Sequence, residues 1–304
     1  MSGCMYPTED ARPDAKRDEG FVSYFRRLPP AVPGTVRLFD RQDFYAVYGD
    51  DAVRVADIVF KTQSVVRQLG SKASPLASCT LNMASAKAFL RDALTARQLR
   101  IEIWAPTGDR QTWAVARQAS PGNLQEVEDL LFLQSDVVSS PIVMALRVKM
   151  EDGISVIGAA FADATNRHIG VAEYTENDLF SNSESLIIQL GVKECLVPAD
   201  DADYHLSKLR ALMERCGCVI TQVKRGTFTS KSIEEDMQRL LPASQRAALA
   251  PECSKKVAMS SAAALLSYLG LLSDESNFGR YTLKTHDLSE YLRLDHAALR
   301  ALNL

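Results

Sequence analysis

The sequence lacks the features that would place it in or across a membrane. No uninterrupted apolar run approaches the roughly 18 residues that a membrane helix needs. The first twenty positions are polar and contain no apolar core of a signal peptide. The cysteines form no C-x-x-C pair and stand at no zinc-ligand spacing with a histidine, which predicts reduced thiols. We therefore expect no membrane partner and no exported protein.

Motifs for nucleotide binding and hydrolysis are also missing. The chain has no G-x-x-x-x-G-K-[ST] loop, no G-x-G-x-x-G after a strand, no G-x-S-x-G elbow and no H-E-x-x-H pair. The four histidines have no paired spacing, so surface or structural roles are favoured over metal binding. The sequence predicts no catalytic residue, no metal site and no cofactor in this chain.

Charge is unevenly distributed along the 304 residues. The net charge of -3 combines 17 Lys and Arg against 13 Asp and Glu up to Leu124 with 18 against 25 from Gln125 onward. A hydrophobic content of 46% is sufficient for the cores of two domains of about 100 to 200 residues. The first part suits contact with a polyanion, and the second does not.

The pattern of the first part predicts a mixed α/β domain. Residues 1–19 are polar and lack periodicity, which indicates a loose tail, and a short helix follows at 20–28. Asp50 stands where a helix cap is expected. Turn formers at 119–124 mark a domain boundary, with an acidic helix after them at 124–132. The other predicted elements are strands at 35–39, 43–48, 65–69, 76–81, 100–104 and 112–117 and a helix at 84–97.

The second part predicts three successive strands, at 142–149, 154–161 and 168–174, followed by alternating strands and helices. Ser181 and Glu184 form the pattern of a capping box. This order indicates a mixed sheet of the ribonuclease H-like kind with helices on its faces. A strongly helical run at 258–272 indicates a further, all-α domain that is truncated, with apolar residues of 292–304 left exposed.

A ribonuclease H-like sheet raises the possibility of a metal-dependent nuclease. Such enzymes need converging carboxylates on the first strand and its neighbours to hold two metal ions. The strand at 142–149 carries none, Asp163 falls in a turn, and the direction of Glu173 is open. A noncatalytic interaction scaffold is therefore favoured, with the nuclease as the alternative.

One segment, D-F-Y-A at 43–46, is a candidate for contact with DNA. In a strand, Phe44 and Ala46 face one side and Tyr45 the other, so Phe44 is either a core aromatic or a wedge. An aromatic wedge enters a duplex from the minor groove at a cost of a few kcal/mol of unstacking, and a mispaired step is easier to unstack. Nearby cations are either phosphate contacts or solvated surface charges; they are Arg37, Arg41, Lys61, Arg67 and Lys72.

Five ordered segments carry a family resemblance. They are T-V-R-L-F-D-R with D-F-Y at 35–45, A-S-P-G-N-L at 119–124, N with F-S-N at 177–182, L-L-S-D with S-N-F-G at 271–279, and L-D with A-A-L-R-A-L-N-L at 294–304. From residue 20 to 304 the chain resembles the opening part of the MutS family of mismatch repair proteins, most closely its eukaryotic MutS homolog 2 branch.

The resemblance implies three domains. They are a mismatch-binding-type domain at 20–124, a ribonuclease H-like connector at 125–255, and the start of the all-α core or lever at 256–304. The family's ATPase lies beyond this point, so ATP and magnesium are expected only through a domain that this chain lacks. We therefore expect no enzymatic activity from the chain itself.

The resemblance also implies a role. MutS subunits that read mismatches carry Phe-x-Glu, whereas this sequence has Phe44-Tyr45-Ala46, and a methyl group forms no hydrogen bond. We expect a nuclear subunit that binds mismatched or looped duplex DNA as the less specific half of a heterodimer. Its expected partners are a MutS homolog 6 or MutS homolog 3 type subunit and MutL-type proteins. The expected DNA-contacting residues are Phe44, Tyr45, Arg37, Arg41 and Lys61.

Overall fold

The computed structural model describes residues 13–71, 74–108, 112–131, 141–199, 204–246 and 249–288. They form two compact units, the first ending at Ser120 but including 124–131, the second comprising 121–123 and the described residues from 141 onward. In this described part, no helix has both the length and the apolar character needed to cross a bilayer. The cysteines within it, Cys79, Cys195, Cys216, Cys218 and Cys253, are free thiols.

The described part of the chain contains both helices and strands throughout. The helices are α1 (Pro13–Arg27), α2 (Asp50–Val59), α3 (Met83–Thr95), α4 (Glu128–Leu131), α5 (Ser181–Leu190), α6 (Tyr204–Arg215), α7 (Ile233–Leu240), α8 (Ala243–Arg246), α9 (Ala250–Cys253) and α10 (Lys256–Leu269), with 3-10 turns at Gln125–Val127, Arg225–Thr227 and Glu275–Asn277. The strands are β1 (Thr35–Asp40), β2 (Phe44–Tyr48), β3 (Arg67–Leu69), β4 (Leu76–Asn82), β5 (Arg100–Thr107), β6 (Thr112–Ala119), β7 (Val143–Glu151), β8 (Ile154–Asp163), β9 (His168–Glu176), β10 (Glu194–Pro198), β11 (Val219–Val223) and β12 (Thr282–Thr285).

The first unit is a six-stranded sheet in the order β3-β4-β2-β1-β5-β6. Strand β1 is antiparallel to β2 and parallel to β5. Helix α1 packs on one face, where its Val22 joins a cluster with Phe39 and Trp113. Helices α2, α3 and α4 contribute to the core on the other face. The mixed α/β fold predicted from the sequence is confirmed.

Strand β2 follows the predicted alternation of faces. Tyr45 and Val47 are buried in the cluster formed with α3. Ala46 and Tyr48 are buried in the cluster formed with α1. The strand therefore has a covered side chain on each face along most of its length, because helices pack on both faces of the sheet.

Three local predictions for the first unit differ from the structure. Residues 13–19 belong to α1 and not to a loose tail, while residues 1–12 lie outside the described part. Asp50 is the first residue of α2, and the cap position is Gly49, with φ 67° and no side-chain capping bond. The acidic segment after 124 is a 3-10 turn followed by the single turn of α4. Glycine suits the cap position of α2, because the positive φ of Gly49 would strain a residue with a Cβ.

The second unit contains a sheet in the order β11-β10-β7-β8-β9-β12. Strands β7, β8 and β9 form an antiparallel meander, and β10 and β11 continue in parallel beyond β7. One face packs against α7 and α10, and the other against α5 and α6. The central position of the first strand and the helices on both faces agree with the predicted ribonuclease H-like arrangement.

The boundary predicted at 255/256 is not a boundary in the structure. Helix α10 packs on the sheet so closely that a Cβ on Gly158 of β8 would lie 2.2 Å from the carbonyl carbon of Val257. Ser261 donates a hydrogen bond to the carbonyl oxygen of Gly158 at 2.8 Å. Strand β12 then pairs in parallel with β9. Residues 256–285 therefore complete the second unit, and the predicted exposed apolar end at 292–304 lies outside the described residues.

The start of α5 is capped differently from the predicted box of Ser181 and Glu184. The amide oxygen of Asn177 accepts from the backbone N–H of Ser181 at 3.2 Å. The carboxylate of Glu176 accepts from the backbone N–H of Ser183 at 2.8 Å. Both acceptors precede the helix, so the helix N-terminus is satisfied by the end of β9 and the loop after it.

Candidate nucleic-acid interface

The hairpin that joins β1 to β2 carries the candidate wedge. Its turn consists of Gln42 and Asp43, and the backbone N–H of Arg41 donates to the carbonyl oxygen of Phe44 at 2.9 Å. Gln42 has φ 75°, and its N–H donates to the side chain of Asp40 at 2.7 Å. The turn is thus closed by hydrogen bonds on both sides, and Phe44 is the first residue of β2.

Among the β2 side chains that share one face of the sheet, that of Phe44 is the exposed one. Phe44 is 37% exposed, whereas Ala46 and Tyr48 on the same face are 2% and 5% exposed. On the other side of Phe44 lies its β4 partner Asn82, whose side chain accepts from the N–H of Ser85 at 2.8 Å and caps α3. The alternative that Phe44 is an ordinary core aromatic is therefore wrong, and a fixed backbone presents its ring at the surface.

Tyr45 points the other way. It is 6% exposed and belongs to the cluster that β2 forms with α3. Burial, assisted by the negative charge of Asp40, raises the pKa of the Tyr45 hydroxyl. Of the two adjacent rings predicted to contact DNA, only that of Phe44 reaches the surface. Contact of Tyr45 with DNA stays a prediction, and its packing gives it no support.

The side chain of Arg37 is held within the first unit. Its Nε donates to the carboxylate of Glu102 at 2.9 Å, and another guanidinium nitrogen donates to the carbonyl oxygen of Pro29 at 2.9 Å. The guanidinium also lies 5.4 Å from the centre of the Trp104 ring. The predicted phosphate contact would have to compete with these partners.

Arg41 lies in an aromatic box. Its guanidinium carbon is 4.6 Å from the centre of the Phe21 ring and 4.5 Å from that of the Trp113 ring. It also donates to the hydroxyl of Tyr48 at 2.7 Å. Both rings lie within the distance at which a cation is attracted to an aromatic face. The geometry therefore directs this charge toward the protein and not toward solvent.

Lys61 is the candidate cation with an exposed and uncommitted side chain. It follows α2, has φ 56°, and forms no hydrogen bond or ion pair within the described residues. Arg67 in β3 is similarly exposed. Lys72 lies outside the described residues. Among the predicted phosphate contacts, Lys61 and Arg67 are exposed, and their contact with phosphate stays a prediction.

The carboxylates considered for a nuclease are occupied by structural bonds. Asp163 accepts from the backbone N–H and side-chain amide of Asn166 at 3.0 and 2.7 Å. Glu173 accepts from the backbone N–H groups of Val257 and Ala258 at 2.8 and 3.0 Å. Within the described ranges, no three metal-ligating side chains are grouped to hold an ion. This arrangement does not support a two-metal nuclease.

One buried carboxylate was not predicted. Glu194 in β10 is fully buried and accepts from the N–H of Gly122 at 3.0 Å, from the hydroxyl of Tyr268 at 2.8 Å and from the hydroxyl of Thr221. A Cβ on Gly122 would lie 2.5 Å from this carboxylate. The only signal in the sequence is a single acidic residue at the start of an apolar strand. Glu194 thus explains why the turn motif at 119–124 contains glycine.

Two family models match the chain. The model described as MutS domain I matches residues 19–128, and the model described as MutS domain II matches residues 141–282. The first match covers the sheet that carries Phe44, and the second covers the sheet that carries Glu194. The second also includes α10, which agrees with the place of this helix in the second unit.

Curated relatives match nearly the whole chain. The chain is 45% identical over 302 residues to the DNA mismatch repair protein msh-2 of Neurospora crassa, covering 97% of this chain and 32% of that protein. It is 36% identical to the DNA mismatch repair protein MSH2 of Zea mays and 35% identical to MSH2 of Saccharomyces cerevisiae, each match covering 96% of this chain and 31% of the relative. The chain spans about a third of the length of the curated relatives it matches.

Proposed function

Because the chain belongs to the MutS family, we propose that it is part of a DNA mismatch repair subunit whose first unit inserts the ring of Phe44 into mismatched or looped duplex DNA. The observation that carries the proposal is the exposure of this ring at the end of a hydrogen-bonded hairpin, beside aromatic neighbours that are buried. With Glu126, Glu128 and Asp129 included, the first unit has 17 Lys and Arg against 16 Asp and Glu, so the proposal rests on the exposed ring and not on net charge.

The physical basis of the proposal is the balance between stacking and unstacking. Contact of an aromatic side chain with a base contributes about 1–3 kcal/mol and tolerates any base, because every base has a π face. Opening a sound base step costs a few kcal/mol, and a mispaired or looped step costs less. A Phe44 wedge therefore favours weakened steps. Lys61 and Arg67 supply phosphate contacts that add affinity without sequence preference.

Ala46, two residues after Phe44, accounts for a limited specificity toward the identity of the base. Ala46 has no group that donates or accepts a hydrogen bond, and it is only 2% exposed beneath α1. A wedge without a base-reading partner detects deformability and not base identity. We propose that the chain is the less specific half of a heterodimer. A MutS homolog 6 or MutS homolog 3 type subunit does most of the reading.

The second unit is proposed to serve as a docking surface. Of the 25 Asp and Glu from residue 125 onward, Glu126, Glu128 and Asp129 belong to the first unit, which leaves 22 against 18 Lys and Arg in the second, a balance that does not favour DNA contact. Its candidate metal carboxylates hold structural bonds, which supports a noncatalytic scaffold. MutL-type proteins are the proposed partners, and the nucleus is the proposed location. ATP and magnesium are proposed to act only through a further domain of the subunit.

The test compares Phe44→Ala with the matched variant Val115→Ala. Val115 is also 37% exposed and lies in β6 of the same sheet, so its truncation removes exposed apolar surface outside the hairpin. The variants are placed in the full-length subunit, assembled with its partner subunit. Equilibrium binding is measured on homoduplex, single-mismatch and looped DNA of equal length.

Phe44→Ala is expected to weaken looped-DNA binding by about ten- to a hundredfold, the loss of roughly one stacked base. Homoduplex binding should change much less, and Val115→Ala should bind all three substrates like the original protein. Equal affinity of the Phe44→Ala protein and the original protein for looped and mismatched DNA would remove Phe44 from the interface.

A further inference from the structure

Helix α1 forms hydrogen bonds with separate parts of the sheet on the face where Phe44 lies. The hydroxyl of Tyr24 donates to the carbonyl oxygen of Trp113 in β6 at 2.7 Å. A guanidinium nitrogen of Arg26 donates to the carbonyl oxygen of Ser74, just before β4, at 3.0 Å. One turn before these two residues, the ring of Phe21 contacts the guanidinium of Arg41 at the hairpin. Helix α1 is thus hydrogen-bonded to β6 and to the segment just before β4, and it contacts Arg41 in the turn that precedes Phe44.

Arg41 connects this helix to the wedge. Its guanidinium contacts both the Phe21 and the Trp113 ring, which meet edge to face, and its backbone N–H donates to the carbonyl oxygen of Phe44. A planar guanidinium stacks on aromatic rings in a way that an ammonium group does not reproduce. A shift of the turn would therefore pull the guanidinium out of the box and break its bond to Tyr48.

We propose that Arg41 is a positioning residue that fixes the direction of the Phe44 ring, and that Phe21 of α1 is the other half of this device. The inference rests on the proposed function of Phe44 and adds what determines the geometry of its insertion. It also replaces the predicted phosphate contact of Arg41 by a contact within the protein.

The two roles of Arg41 differ in what they need. A phosphate contact needs only the positive charge, so Arg41→Lys preserves the contact. Loss of the contact reduces the slope of log affinity against log salt concentration by about one. A positioning role needs the flat guanidinium in contact with both rings and with the Tyr48 hydroxyl, so lysine fails. Changing Phe21 to leucine should then weaken binding as well, although no charge is removed.

The experiment uses the full-length subunit with its partner subunit and DNA carrying a small loop. Arg41→Lys, Arg41→Ala and Phe21→Leu are each made alone and together with Phe44→Ala. Arg97→Ala is the matched charge control, because in the described part of the chain the exposed Arg97 forms its ion pair with Asp92 near the end of α3, not with the hairpin. Affinity is measured as a function of salt, and a 2-aminopurine base beside the loop reports unstacking. Urea unfolding shows which variants remain folded.

We expect Arg41→Lys and Phe21→Leu to weaken looped-DNA binding about five- to tenfold with an unchanged salt slope and a smaller unstacking signal. In the Phe44→Ala background the same changes should have no further effect. Arg97→Ala should leave the unstacking signal unchanged. If Arg41→Ala does not fold, Arg41→Lys and Phe21→Leu provide the test.

Three results would overturn the inference, and they are distinguishable. Full binding by Arg41→Lys, with a slope reduced by about one in Arg41→Ala, would identify a phosphate contact. Weakening by Phe44→Ala alone, with no effect of Arg41→Lys or Phe21→Leu, would remove the positioning role and leave the proposed function standing. No effect of Phe44→Ala would remove both.

Discussion

Arg41 and Phe44 face each other across the turn between β1 and β2, and the N–H of Arg41 donates to the carbonyl oxygen of Phe44 at 2.9 Å. The side chain of Arg41 packs against two aromatic rings, and that of Phe44 is partly exposed to solvent. The surface position of Phe44 is therefore determined by packing inside the unit. Residues that never contact DNA are expected to influence how well it binds.

Replacing Gln42 with glycine should stabilise the first unit. Gln42 has φ 75°, a region that costs a residue with a Cβ about 1–2 kcal/mol. We expect Gln42→Gly to raise the free energy of unfolding by about 1 kcal/mol, less the greater entropy of glycine in the unfolded chain. Urea unfolding of the chain measures this change.

The matched control for Gln42→Gly is Gln68→Gly. Gln68 is exposed in the middle of β3, where glycine is expected to destabilise by about 0.5–1 kcal/mol. Opposite signs for the two variants would confirm that the benefit comes from the turn. Two changes of the same sign would show that the conformation of Gln42 is not strained.

Leucine substitutions should separate the two adjacent rings. Phe44→Leu is expected to weaken looped-DNA binding and to change stability by less than about 0.5 kcal/mol, as exposed substitutions usually do. Tyr45→Leu is expected to lower the free energy of unfolding by about 1–3 kcal/mol, because it reshapes a packed core, and to leave the affinity of the folded protein unchanged. Binding and unfolding are measured on the same preparations. Weakened binding by a folded Tyr45→Leu protein would restore Tyr45 to the interface.

Gly122→Ala should destabilise the second unit. The added Cβ would lie 2.5 Å from the carboxylate of Glu194 and 2.7 Å from Val143. Relief of this overlap should cost about 1–3 kcal/mol and disturb the N–H bond to Glu194. The control is Gly226→Ala, because no atom lies within 4 Å of that position and its φ is not positive. Equal urea midpoints for the two variants would contradict the packing explanation.

The imidazole of His168 should make the second unit less stable in acid. Burial, and then the charges of Lys284 and His286 against the opposing Asp163, place the pKa of His168 below its ordinary 6.5. Below pH 6.5 the unfolded chain binds this proton more readily than the folded chain, so the free energy of unfolding falls as pH falls. Above that pH both states are neutral at this site and the effect vanishes.

The pH prediction is checked by urea unfolding between pH 7.5 and 5. His168→Gln should show a shallower loss of stability over this interval than the original protein. Lys284→Ala should give an intermediate slope, since it removes one of the charges that disfavour the imidazolium. Parallel curves for the original chain and His168→Gln would exclude His168 as the origin.

Local patterns in the sequence predicted the strands and the faces of helices well. The alternation in β2 placed Tyr45 and Ala46 on opposite sides, because side-chain direction in a strand follows directly from position. Contacts between distant segments were not predictable in this way. The box around Arg41 combines Phe21 of α1 with Trp113 of β6, and no local pattern links these two rings.

The domain boundary predicted at 255/256 is absent from the described structure for a related reason. The run at 258–272 has the composition of a helical domain, and its composition does not record which surface it covers. Glycine at position 158 and the carboxylate of Glu173 are what bring α10 onto the second sheet. Gly158 and Glu173 both lie far from α10 in the sequence. Each can be explained by its own strand without reference to the helix.

The bond between Glu173 and the first turn of α10 limits how this scaffold can change. The carboxylate faces the positive end of a helix, where one oxygen, Oε2, accepts from two N–H groups that lack an acceptor within the helix. Recruiting Glu173 to bind magnesium would leave that helix end unsatisfied and would still require a new acid on β7. Nuclease chemistry would thus require at least one substitution, on β7, together with a rearrangement at the start of α10.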